Sequence, residues 1–316
     1  MYWGGFVLTD QKRELLKAVI LFVITFFSVF LVYGYQRLGG DPLQEFQVAQ
    51  QSFAFAGSLL LILLCHEMGH FLVGRSHGFH TSLPIFVPFP LALGTLGAII
   101  KLKSLPKSRT ALLEMGAAGP ICGFLVALIF IVIGLLLSTN DEIILLSQEQ
   151  YQQLTDMDGI HEIPLLIMGD PLILKGLGLW VFGEPLSPYA HLHPIAFAGW
   201  VGCLLTAMNM LPIGQLDGGH VINALFPKYA AKVSKYTIFV LIISGWFWPG
   251  WTVWGIIAIV TGAYKPIPIY EYLPSREQLT RRGYMCAIIA IICALLSFVP
   301  IPIDIQYVSM EEIGFK

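Results

Sequence analysis

Charge is scarce in this chain. Asp, Glu, Lys and Arg together make up 12% of its 316 residues, where a soluble globular domain carries about 25%. With 56% hydrophobic residues, there is too little charge to cover a water-facing surface. That excludes an ordinary soluble globule and implies a multi-span membrane protein, with the lipid bilayer as its first partner. An excess of either sign is also lacking. The net charge of −2 gives no argument for a nucleic-acid partner. Cysteine is sparse: Cys65, Cys122, Cys203, Cys286 and Cys293 all lie in apolar runs and read as small hydrophobes, not as a disulfide framework. No small-residue cleavage pattern follows the first apolar run, so that run reads as a span and not as a signal peptide.

What is present is a series of apolar runs, and a helix needs roughly 20 residues to cross a bilayer. The runs cover residues 16–35, 53–74, 112–137, 194–211, 236–263 and 283–303. The fifth is interrupted by Trp248-Pro249-Gly250 and reads as two short crossings. The expected fold class is an all-α polytopic membrane protein with about six to seven transmembrane helices. Between the second and third spans, Pro84, Pro88, Pro90 and Pro106 argue against a long helix. The stretch from Gly94 to Lys103 looks extended, which predicts a small membrane-associated β element there. A long acidic insert, 139–193, holds an amphipathic piece near Leu172–Phe182. C-terminal spans occupy about 236–303. Seven spans with the N-terminus inside put fifteen of the eighteen Lys and Arg on one side, as the positive-inside rule requires. This topology brings the inner ends of the second and fourth spans to the same depth.

Polar residues break two of those runs. His66-Glu67-Met68-Gly69-His70 interrupts the second. An HExxH on a helix places two imidazoles on one face, where both can bind one Zn2+, with the Glu as general base. Charge inside a span is costly, so such residues are functional by default. A catalytic zinc usually takes a third protein ligand. Asp217, followed by Gly218 and Gly219 at the inner end of the fourth span, leads the candidates; Glu114 and His220 follow. His77 and His80 sit close after the metal helix and read as loop residues. His161, His191 and His193 fall on the wrong side of the membrane by the charge count. Asn209, eight residues before Asp217, could donate to a developing oxyanion or make an ordinary interhelical hydrogen bond. Gly119 and Gly123 form a GxxxG, read as a packing surface beside the metal helix.

Together these residues resemble the site-2 protease family of intramembrane zinc metalloproteases. HExxH in one span, Gly119-Pro120 in the next, and Asn209-x-x-Pro212-x-x-x-Leu216-Asp217-Gly218-Gly219 at the end of another carry the resemblance across a core of about residues 52–220. It implies one integral membrane domain over 1–316, with His66, His70 and Asp217 on zinc and Glu67 activating water. Asn209 would help bind or polarise the scissile peptide. The substrate would be a membrane-spanning protein, with an upstream site-1-type protease as a further partner. Gly94-Thr95-x-Gly97-Ala98 is similar to a subgroup found in cyanobacteria, plastids and other bacteria, and the expected location is a bacterial inner (cytoplasmic) membrane with the site toward the cytoplasmic side. Many members carry an Asn where this chain has Gly123, and the 139–193 insert is too short and irregular for a PDZ domain. The competing classes are a metal transporter or channel using the same polar residues and a catalytically inactive membrane scaffold.

Overall fold

A computed structural model describes residues 4–140, 162–188, 190–265 and 278–309. The first three apolar runs form long helices, because a backbone without water must bond its N–H and C=O groups internally. Helix α1 (Gly4–Val32) passes into a π-helical turn, Tyr33–Leu38; α2 is Phe46–Ser76 and α3 is Arg109–Leu136. Three stretches are long and apolar enough to cross a membrane: Gln11–Leu38, Phe46–Ser76 and Arg109–Leu136, with 28, 31 and 28 residues. Helix α3 starts where the Ser108 hydroxyl accepts from the Ala111 N–H at 3.0 Å. Helix α2 stops at Gly78, whose φ of +73° lets the Phe79 N–H reach back to the Gly74 carbonyl at 3.0 Å.

The later helices are α4 (Leu172–Phe182), α5 (Pro194–Asn209), α6 (Asp217–Leu225), α7 (Ala230–Ser244), α8 (Pro249–Val260) and α9 (Arg281–Ser297). The amphipathic piece expected near 172–182 is α4. Run 236–263 is a helical hairpin, α7–α8, turning at the interruption noted in the sequence. Yet α5, α7, α8 and α9 have 16, 15, 12 and 17 residues, each short of the ~20 a simple span needs. Three helices therefore have spanning length among the described residues, against the six to seven expected. Prolines lie at or just beyond several of these ends, where the missing N–H costs least: Pro212 follows α5, Pro249 opens α8 and Pro300 follows α9.

Two small sheets accompany the helices. Strands β1 (Ile85–Pro88) and β2 (Thr95–Ile99) pair antiparallel, with Ile85 opposite Ile99 and Phe86 opposite Ala98. The extended stretch expected at 94–103 thus contains β2. Its partner lies in the proline-rich piece, where Pro88 takes the strand end. Gly97 has φ +94°, a conformation that favours glycine. The second sheet was not expected: β3 (Glu162–Met168) pairs antiparallel with β4 (Ile303–Ser309), Met168 opposite Ile303. The all-α description and a last span reaching 303 need that correction. Helix α9 ends at Ser297, before Pro300 and Pro302, and the chain beyond pairs with residues of the insert. Residues 141–161 of the insert, His161 included, lie outside the described residues.

Helices α2, α3 and α5 make the core. Between membrane helices, packing and not water exclusion supplies most of the attraction. A file of aromatic rings runs Tyr33, Phe55, Phe197, Trp200, with centroids 4.2, 5.3 and 5.8 Å apart in sequence. Glycines bring backbones together. A Cβ on Gly134 would lie 2.1 Å from the Ala196 nitrogen, and one on Gly69 would lie 2.6 Å from the Ala118 carbonyl oxygen. That second contact presses α3 against α2 at the level of His66 and His70.

Candidate metal centre

His66 and His70 stand one turn apart on α2 and face α3. There the helix offers no side chain: a Cβ on Gly119 would lie 2.0 Å from His70 Nε2, and one on Gly123 would lie 2.9 Å from His66 Nδ1. The GxxxG seam does pack against α2, and what it packs against is the pair of imidazoles. The sequence reading missed this role. His70 Nδ1 donates to the Met115 carbonyl at 2.7 Å. That fixes the tautomer and turns the Nε2 lone pair inward.

Asp217 arrives from the far end of α5. The chain turns through residues 210–216 and starts α6 at Asp217. Gly218 and Gly219 let the new helix sit on its own loop, since Cβ atoms there would come within 2.0 Å of the Met210 carbonyl oxygen and 2.3 Å of the Ile213 carbonyl oxygen. The loop is tied down from α7: the Gly214 N–H donates to Ser234 Oγ at 3.0 Å, and that hydroxyl donates to the Tyr264 carbonyl at 2.9 Å. A carboxylate in the first turn of a helix also meets the positive end of its dipole.

The three donors converge. His66 Nε2 is 3.2 Å from His70 Nε2 and 3.1 Å from Asp217 Oδ2; His70 Nε2 is 3.1 Å from Asp217 Oδ1. Ligand atoms about 2.0–2.1 Å from a tetrahedral ion stand about 3.3 Å apart. The two imidazole nitrogens are close to that spacing, and a carboxylate oxygen of Asp217 comes about as near to each of them; among the described residues these three form the cluster able to hold a metal ion. Glu67 is buried beside them, with the Ile100 N–H turned toward its carboxylate. Asn209 Nδ2 lies 3.5 Å from His66 Nε2. A cavity of about 780 Å³ opens over these groups between α2, β2, α6 and α8.

The other candidates go elsewhere. Glu114, a third-ligand candidate by sequence, is buried against His77 Nε2 at 3.0 Å and Arg282 Nε at 3.5 Å. His220 lines the cavity without joining the donor cluster. The His80 N–H donates to Ser104 Oγ at 3.0 Å. His191 bridges Thr139, and His193 caps α5, its Nδ1 accepting from the Ile195 N–H.

The stretch that carries these residues is similar to known proteins. The profile of peptidase family M50 matches residues 54–248. A protein of Arabidopsis thaliana named probable zinc metalloprotease EGY1, chloroplastic, is 31% identical over 189 residues, 59% of this chain and 32% of its own length. The Arabidopsis protein named probable zinc metalloprotease EGY2, chloroplastic, is 31% identical over 190 residues, 59% of this chain and 31% of its own. A rice (Oryza sativa subsp. indica) protein named probable zinc metalloprotease EGY3, chloroplastic, is 26% identical over 295 residues, 90% of this chain and 48% of its own. The chain thus covers about a third of the length of the first two. No solved structure matches.

Proposed function

Because this chain belongs to peptidase family M50, we propose that it is an intramembrane zinc metalloprotease, hydrolysing peptide bonds in or near the membrane-spanning segments of other proteins. One observation carries the reading: His66, His70 and the Asp217 carboxylate converge to contacts of 3.1 and 3.2 Å with Glu67 buried alongside. Two imidazoles and a carboxylate fit Zn2+, and the relatives' names specify zinc metalloproteases.

Bound zinc would supply a water acidified to a pKa of about 7 and a Lewis acid for the scissile carbonyl. His66, His70 and Asp217 would hold the ion. Glu67 would accept a proton from the water that adds to the carbonyl carbon. It then delivers that proton to the amine nitrogen as the C–N bond breaks, leaving a carboxyl and an amine terminus. Asn209 orients the peptide beside His66. A substrate helix hides its carbonyls in internal hydrogen bonds, so it must unwind locally, and the outer edge of β2 offers backbone partners for the unwound stretch.

The finer topology belongs to the same proposal. Six to seven crossings in one domain over 1–316, with the centre toward the basic side, are supported by the distribution of Lys and Arg; the shorter helices α5 and α7–α9 would cross with help from their flanking turns. The relatives' names are chloroplastic and give no support to a bacterial inner membrane. An upstream site-1-type protease would prepare substrates. A metal transporter and an inactive scaffold are less well supported, given the family and the complete set of donors and base. Purified protein in vesicles, offered a membrane-tethered substrate, should cleave it in a zinc-dependent way. Metal flux without cleavage would favour the transporter.

A further inference from the structure

The cavity holds an imidazole that the metal centre does not use. His220 follows Asp217 by one turn of α6, and its N–H bonds the Leu216 carbonyl at 2.9 Å. Residues three apart on a helix share a face, so the ring of His220 lines the same cavity as Glu67 and Asn209. Helix α3 supports it from behind: a Cβ on Gly116 would lie 2.9 Å from His220 Cβ. Its Nδ1 is buried with no hydrogen-bond partner. Buried N–H groups are very rarely left unpaired, acceptors somewhat less so. That assigns the ring proton to Nε2, the other ring nitrogen of this cavity-lining residue.

We propose that His220 Nε2–H donates a hydrogen bond to the scissile carbonyl oxygen as negative charge develops on it, making His220 a catalytic residue alongside Glu67. The inference rests on the protease reading. No proton leaves His220; the proton taken from water still travels through Glu67 to the departing amine. A fixed donor in a water-poor site is worth most where charge appears only in the transition state. Asn209, by contrast, stands beside the ligand nitrogen of His66, and so reaches the peptide from another side.

The test uses the full chain in vesicles and a synthetic single-span peptide carrying Asn-Gly in its apolar stretch and a fluorophore–quencher pair across it. Wild type is compared with Glu67→Gln, His220→Ala and His220→Gln, the last retaining an N–H near the Nε2 position. Zinc stoichiometry, kcat, KM and affinity for a phosphinate isostere of the cleaved bond are measured. His220→Ala should keep zinc and KM, lose about 100-fold in kcat, and bind the phosphinate weaker by a similar factor. His220→Gln should recover most of both. Unchanged kcat in His220→Ala overturns the proposal, as does loss of zinc, or equal impairment in both His220 variants with zinc retained. Zinc-loaded wild type that cleaves nothing removes the protease reading and this inference with it, whereas cleavage by wild type and His220→Ala alike removes the inference alone.

Discussion

A side chain at Gly119 would collide with the His70 nitrogen that faces Asp217, because a Cβ built there lies 2.0 Å from Nε2. Neither partner can give way easily. The ring is held by the Met115 carbonyl, and α3 is pressed against Gly69 of α2 beside it. Gly119→Ala should therefore weaken zinc binding by about 10–100-fold, the range seen when a ligand's support is disturbed. Gly57→Ala, a position in α2 where the added carbon meets nothing within 4 Å beyond the adjacent backbone of its own helix and its two chain neighbours, should leave zinc binding unchanged. Competitive chelator titration of the purified variants checks both.

The third ligand is separable from its rival by substitution. Asp217→Asn should lose zinc. Glu114→Gln should retain it, because Glu114 is engaged with His77 and Arg282. Its cost should appear in stability, about 1–3 kcal/mol for a weakened hydrogen bond at a buried carboxyl. Metal analysis and denaturation in detergent distinguish the two effects. Zinc lost in Glu114→Gln and kept in Asp217→Asn would reverse the assignment.

Ala98 sits in β2 opposite Phe86 and lines the cavity. If β2 receives an unwound substrate by edge pairing, Ala98→Pro should cut cleavage by at least about tenfold by removing a backbone donor. The zinc site, built on α2 and α6, should be untouched. Normal cleavage by a folded Ala98→Pro protein would show that the strand does not hold the substrate.

Outside the long helices, burial pushes the Asp170 carboxyl above its ordinary range, with Lys175 opposing the shift. A raised folded-state pKa means that the native state binds the proton more tightly than the unfolded chain. Its stabilising contribution is full below the unfolded value of about 3.9 and is lost as pH rises through the folded pKa. Asp170→Asn should therefore melt higher than wild type at neutral pH. The gap should close below about pH 4. Thermal unfolding of both proteins across that range gives the sign.

The legible part of this protein was local. His66, Glu67 and His70 stand out because ionisable groups are costly in an apolar run, and their spacing on a helix needs no tertiary knowledge. Asp217 required one further step, the side of the membrane to which its span leads. Pairings across long separations were not legible: β3 meets β4 over 303–309, and nothing near either strand names its partner. Gly119 and Gly123 read as generic packing and Gly116 drew no reading, because what a glycine makes room for depends on the helix opposite. Here the groups accommodated are His220, His70 and His66. The two short crossings in 236–263 were legible from Trp248-Pro249-Gly250, but the shortness of α9 was hidden, since its apolar run continues to 303, past the helix end at Ser297.

The central claim is that Glu67 serves as the base of a protease whose metal is held by His66, His70 and Asp217. Its most direct test is the rate at which zinc-loaded wild type and Glu67→Gln cleave a membrane-tethered substrate in vesicles, with zinc measured in the same samples. Equal zinc, with cleavage by wild type and a loss of at least about 100-fold in the variant, is the predicted result. Cleavage by Glu67→Gln at the wild-type rate would contradict it.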